Sequence, residues 1–161
     1  MPAVFPAPGH DHDRCTADAL AHAEALCAAR GQRLTPLRRQ VLETLAESHK
    51  ALGAYEIMER MAGQGPRPAP ITVYRALDFL LENGLVHRIE SRNAFLACIG
   101  DHHAAGSGTT VFLICERCGA VGEASSAAVA ETLQTAARAV GFTPKARVIE
   151  VTGICAHCRK A

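Results

Sequence analysis

Thr72-Val-Tyr-Arg-Ala-Leu-Asp-Phe-Leu-Leu-Glu-Asn-Gly84, followed at once by Leu85-Val-His-Arg-Ile-Glu90 and then Ala94-Phe-Leu-Ala-Cys98, decides the fold of the first half of the chain. Thr72 can cap a helix, and Val73, Ala76, Leu77, Leu80 and Leu81 recur at helical spacing on one face, with Arg75 opposite. Gly84, after Asn83, supplies a left-handed stop. The two β-leaning stretches joined through Ser91-Arg92-Asn93 read as a hairpin. Upstream, Leu20, Ala23, Leu26 and Cys27 give Ala17–Arg30 a helical period that Gly31 ends. Thr35-Pro36 reads as an N-cap followed by proline at the first helical position, with Val41, Leu42 and Leu45 on one face beyond it. A third helix begins around Gly53 and carries Ile57, Met58 and Met61 up to the breaker-rich Gly63–Pro70. Short helices followed by a hairpin are the pattern of a winged helix-turn-helix.

Composition neither demands nor excludes a nucleic-acid partner. The 161 residues carry a formal charge of +1, so any basic surface is local. Two acid-free runs qualify: Arg30, Arg33, Arg38 and Arg39, then Arg60, Arg67 and Arg75. The hydrophobic fraction of 48% supports a core, but aromatics are 4% and Trp is absent, so Ala, Leu and Val must fill it. No run approaches the ~18 apolar residues of a membrane span, and Met1–Cys15 lacks the basic and apolar regions of a signal peptide. A cytoplasmic location is expected. In such a reducing compartment, paired cysteines more often hold metal than form disulfides.

The second half alternates strand Thr110–Cys115, strand Ala120–Glu123, helix Ser126–Val140 and strand Lys145–Thr152. It contains Cys115-Glu-Arg-Cys118-Gly119 and Cys155-Ala-His-Cys158. Two C-x-x-C knuckles at strand ends can bring four thiolates to the corners of a tetrahedron around Zn²⁺, with Zn–S about 2.3 Å. Gly119 permits the tight turn that aims amides at the sulfurs. A closed four-sulfur cage is structural and not catalytic. Disulfides or a redox pair are the competing reading, disfavoured because neither motif is expected to open a helix. A second set of ligand-type residues gathers around the hinge: His87, Cys98, His102, His103 and Glu123. Nitrogen, sulfur and oxygen donors together suit tetrahedral zinc, and ligands drawn from both halves would clamp one to the other. Cys15, in the tail, and Cys27, on an inner helix face, are left without a ligand role.

Arg33-Leu-Thr-Pro36, Pro70-Ile-Thr-Val-Tyr-Arg-Ala-Leu-Asp-Phe-Leu80 and Gly84-Leu-Val-His87 resemble the DNA-binding half of the ferric uptake regulator family, and the paired knuckles resemble its dimerisation half. The resemblance covers about residues 17–158. Ala76-Leu-Asp-Phe-Leu-Leu81 and a cysteine at Cys98 are most similar to its zinc-uptake branch. The iron-sensing branch carries a His-rich run where this chain has Thr109–Ile114. The resemblance implies a regulatory zinc site of His87, Cys98, His103 (or His102) and Glu123, beside the structural site of Cys115, Cys118, Cys155 and Cys158. It also implies DNA contacts from Tyr55 and Arg75; Thr72 and Tyr74 on the same helix as Arg75, and Arg92 at the hairpin tip, complete the expected DNA-binding set. Two departures stand out: a longer Cys98–Cys115 loop, and Leu37 where a polar residue is usual.

The expectation is therefore an α+β chain. Residues 1–15 form a disordered tail, 16–98 a winged-helix DNA-binding domain, 99–109 a hinge, and 110–161 a small α/β dimerisation domain with a four-cysteine zinc site. The implied function is a homodimeric repressor that binds operator DNA when its regulatory zinc site is filled, with two Zn²⁺ per chain, no membrane and no small-molecule substrate. An iron- or peroxide-responsive regulator of the same family is the alternative. A zinc deaminase is the rival from another class, because His22-Ala-Glu24 supplies an H-x-E half-signature. No proline precedes Cys115, however, and a complete four-cysteine set leaves no position for water, so no enzymatic role is expected.

Overall fold

Asp11 opens the first helix of the computed structural model, which describes residues 4–5, 7, 9–98, 109–144 and 148–160. Its carboxylate accepts hydrogen bonds from the amides of Asp13 and Arg14, so α1 spans His12–Ala29. That is four residues earlier than the disordered-tail expectation for residues 1–15 allows. The side-chain cap satisfies amides that a periodicity argument, looking only for apolar residues, does not see.

The chain divides into two compact units, one of residues Gly9–Gly100 and one of Met1–Pro8 with Asp101–Ala161. In the first, Thr35 caps α2 (Pro36–Ala46) through its hydroxyl oxygen. The Gly53 amide donates to the Glu56 carboxylate at the start of α3 (Ala54–Ala62), at 2.7 Å. The next helix, α4, spans Pro70–Glu82 with Ala69 at the N-cap. Thr72 is thus not the cap that the sequence suggested. It lies in the first turn and its hydroxyl donates to the Ala69 carbonyl at 2.6 Å, while Pro70, needing no amide partner, takes the first helical position. Gly84 terminates the helix at φ +70°.

Apolar faces of all four helices meet in one core of residues that include Leu20, Val41, Leu45, Ile57, Met58, Val73, Leu77 and Leu80. Leu37 packs against it, which accounts for an apolar residue at that position. Strands β1 (Val86–Ile89) and β2 (Ala94–Ala97) form an antiparallel hairpin with Val86 opposite Ala97 and His87 opposite Leu96. A 3-10 turn, Glu90–Arg92, and Asn93 at φ +45° connect them. Leu52 bridges to Phe95 and extends the small sheet.

In the second unit, β3 (Thr109–Cys115) is central, antiparallel to β4 (Val121–Ser126) and parallel to β5 (Val148–Gly153). A parallel pair needs a crossover, and α5 (Ala127–Ala139), capped by the Ser126 hydroxyl, lies between β4 and β5 in the chain. Phe112, Ile114, Val121 and Ala130 are buried. A short helix absent from the sequence reading, α6 (Ala156–Lys160), closes the chain. The expected strand start at Lys145 lies outside the described residues.

Candidate metal centre and nucleic-acid interface

Parallel strands end on the same side of a sheet, and this is what assembles the cysteines. Cys115 ends β3 directly opposite Gly153, the last residue of β5, and the Glu116 amide donates to the Gly153 carbonyl at 2.9 Å. Each C-x-x-C pair follows its strand end, so the two pairs emerge side by side. The sulfurs of Cys115, Cys118, Cys155 and Cys158 all lie within 4.8 Å of one another. No disulfide joins them: Cys118 Sγ and Cys155 Sγ are 3.9 Å apart.

Backbone amides turn toward the sulfurs, with the Cys155 amide donating to Cys115 Sγ and the Cys158 amide to Cys155 Sγ, each at 3.4 Å. Gly119, at φ +77°, donates to the Cys115 carbonyl at 2.9 Å and makes the turn possible. Amide hydrogen bonds from Cys118 and Cys155 lower the Cys115 thiol to about 6. Cys158 is pushed up to about 12, chiefly by its hydrogen bond with Cys155 and then by burial. Four thiols this close cannot all ionise unaided, but a divalent cation removes that penalty. The donor set fits zinc.

The expectation that neither knuckle opens a helix does not hold. The Cys155-x-x-Cys158 pair does open a helical turn, α6, so helix position does not separate a metal site from a redox pair here. The separation rests on four converging sulfurs, where a redox pair would need two.

His87 and Cys98 come together through the hairpin register. The Cys98 amide donates to the Leu85 carbonyl at 3.0 Å, continuing the ladder, so Leu85 stands opposite Cys98 and His87 opposite Leu96. Residues two apart on a strand share a face, which makes His87 and Cys98 diagonal neighbours with ligand atoms within 4.8 Å. Cys98 is buried and His87 half-buried. Glu123 belongs to the other unit, on β4 opposite Phe112. His102 and His103 lie outside the described residues.

Most of the residues expected to meet DNA are exposed on the first unit. Tyr55, Tyr74 and Arg75 are exposed, Thr72 is half-buried, and Arg92 is exposed in the hairpin turn. Beside them on α4, Ile71 is 59% exposed, an apolar residue left outside the core. The first basic run contributes less free charge than its sequence implies. Arg30 donates to Asn83 at 2.8 Å, Arg38 lies over the Phe79 ring at 3.5 Å, and Arg39 pairs with Glu24 and Glu43. Arg33, Arg60, Arg67 and Arg75 remain exposed. Glu24, the acid of the H-x-E half-signature, is thus engaged by Arg39.

Comparison with known proteins bears on both halves. The model of the ferric uptake regulator family matches residues 29–152. The zinc uptake regulation protein of Escherichia coli (strain K12) is 42% identical over 144 residues, covering 89% of this chain and 82% of that protein. The peroxide operon regulator of Bacillus subtilis (strain 168) is 31% identical over 133 residues, covering 81% of this chain and 86% of that protein. Among solved structures, a zinc uptake regulator complexed with zinc and DNA superposes with a TM-score of 0.81 at 41% identity. It covers 90% of this chain and 95% of that one.

Proposed function

The chain belongs to the ferric uptake regulator family, and from that premise we propose that it is a zinc-responsive transcriptional repressor, binding operator DNA as a homodimer to control zinc-uptake genes. The observation that carries this reading is a match over 89% of the chain at 42% identity to a zinc uptake regulation protein, against 31% to a peroxide operon regulator. The iron- or peroxide-responsive alternative is set aside on that difference.

Cys115, Cys118, Cys155 and Cys158 would hold the structural zinc. When bound, the ion supplies a cross-link between the ends of β3 and β5 that the small aromatic-poor core lacks. His87, Cys98, Glu123 and His103, with His102 as the alternative to His103, are proposed as the regulatory zinc ligands. A metal drawing on both units favours DNA binding only by the difference in its affinity for the DNA-binding arrangement and the open one. A cage closed by four thiolates would leave no open coordination position, as suits a structural ion and not a catalytic one.

The dimer reading is supported by apolar surface on the second unit. The edge strand β5 leaves Val148 and Val151 exposed, and Leu133 on α5 is 39% exposed. A second copy of the chain would cover such a surface. No helix among the described residues is long and apolar enough to cross a membrane, and a cytoplasmic setting would keep the thiols reduced.

We place α4 in the major groove, with Arg75 reading a base or gripping phosphate and Tyr55, Thr72, Tyr74 and Arg92 adding contacts. Arg75→Ala should cost ~1–3 kcal/mol of operator affinity and relax specificity at one position if it reads a base. If it touches phosphate only, affinity should fall evenly across sequences and the salt slope should drop by about one unit. Unchanged affinity and salt slope would show that another element enters the groove. The function itself is tested by operator binding of the purified protein across buffered zinc, iron and manganese. Zinc alone should elicit binding; an equal response to iron or manganese, or none to zinc, would overturn the reading.

A further inference from the structure

Three histidines that neither site uses converge on the first unit. His10 precedes α1, His12 is its first residue, and His49 follows α2. Their ligand nitrogens all lie within 4.8 Å of one another, and His10 Nε2 is 2.6 Å from His49 Nε2. The rings are tilted and not stacked, with centroids 4.3 Å apart for His10–His12, 4.6 Å for His10–His49 and 5.2 Å for His12–His49. Cys15, one turn along α1 from His12, places Sγ 4.0 Å from His49 Nε2. The Asp11 cap sets the direction of this turn, so His12 and Cys15, three residues apart, share a helix face.

An ordinary hydrogen-bonded cluster does not account for the arrangement. Two imidazole nitrogens at 2.6 Å share one proton, which satisfies that pair alone, while His12 Nδ1 is buried with no hydrogen-bond partner. Burial, with His10 and His12 beside it, holds the His49 imidazolium down to about 4. Zn–N bonds of about 2.0–2.1 Å put tetrahedral nitrogens roughly 3.3 Å apart, a value bracketed by the 2.6 Å between His10 and His49 and the 4.8 Å within which all three nitrogens lie.

We propose that His10, His12 and His49, with Cys15 in reach as a fourth donor, form a further divalent transition-metal site that takes zinc. The site is separate from the four-cysteine cage and from the His87–Cys98 pair. Its ligands tie the first turn of α1 to the segment between α2 and α3. Occupancy would hold the start of a helix whose Ala19, Leu20, Ala23 and Cys27 are buried.

The test uses untagged full-length protein equilibrated at fixed buffered free zinc, with metal content measured alongside melting temperature. Wild type should hold one more zinc equivalent than His49→Gln, and zinc should raise its melting temperature more than the variant's. Co²⁺-loaded wild type minus Co²⁺-loaded His49→Gln should leave a tetrahedral ligand-field spectrum. Cys15→Ser should keep the extra equivalent at weaker affinity. Should His49→Gln fail to fold, the double variant His10→Ala/His12→Ala, altered only at the helix start, gives the same comparison. Equal zinc content and superposable Co²⁺ spectra for wild type and a folded histidine variant would overturn the proposal. A Cys98→Ser protein that has lost zinc-dependent operator binding but retains the His49-dependent equivalent would separate this site from the sensor.

Discussion

Cys115→Ser is expected to abolish the folded dimer and not merely its regulation, and the same change at Cys118, Cys155 or Cys158 should do likewise. The four sulfurs converge at the ends of β3 and β5, in a unit whose buried apolar side chains, among the described residues, are Phe112, Ile114, Val121 and Ala130 besides Cys115 and Cys155. Structural zinc in small modules contributes on the order of ten kcal/mol to folding, comparable to the whole ~5–15 kcal/mol stability of a domain. Opening the cage at one corner therefore removes more than such a unit can lose. The expected result is a protein short of one zinc equivalent, without a cooperative thermal transition for the second unit and without dimer mass. A soluble Cys115→Ser protein with wild-type melting temperature and dimer mass would defeat the assignment of this cage as the fold's cross-link.

Cys98→Ser should separate sensing from folding. If Cys98 is a regulatory ligand, the variant keeps the zinc of the four-cysteine cage and its fold. The zinc midpoint for operator binding should rise by at least ~10-fold, because a serine hydroxyl is a much poorer zinc donor than a thiolate. His87→Ala and Glu123→Ala should shift the midpoint in the same direction, and His103→Ala more than His102→Ala. The competing reading treats Cys98 as core filler, since it is buried and its amide is part of the hairpin ladder. A hydroxyl in such a place costs ~1–3 kcal/mol of stability but leaves the zinc midpoint unmoved. Zinc content, melting temperature and operator-binding midpoint measured on the one variant decide between the two.

Much of the helical unit was legible because its signals are local. Thr35-Pro36 opens α2, Gly53 begins α3, Gly84 ends α4 with a positive φ, and the hairpin turns within a residue of Ser91-Arg92-Asn93. Each depends on residues within four positions, where caps, left-handed stops and apolar period act. The misreadings are local too, where two signals competed. Thr72 resembled a cap, but Pro70 two residues earlier prefers the first helical position more strongly. Asp11 capped α1 ahead of any apolar residue that would have announced it.

By itself the sequence determined which residues have ligand chemistry, in C-x-x-C pairs and scattered histidines, and where each helix carries its apolar stripe. Only the tertiary structure decided which of those residues meet. The two cysteine pairs are neighbours because β3 and β5 run parallel, in a register set by side-chain packing over more than thirty intervening residues. The basic run Arg30–Arg39 carries its charges into Asn83, Phe79, Glu24 and Glu43, so most of its apparent DNA-binding charge is engaged within the unit. His10 and His12 find His49 because α1 packs on α2, a contact between residues 39 positions apart for His10 and His49. Local patterns follow from backbone geometry over a few residues, whereas such meetings follow from burying apolar faces that belong to different elements. No spacing rule within a single element reports them.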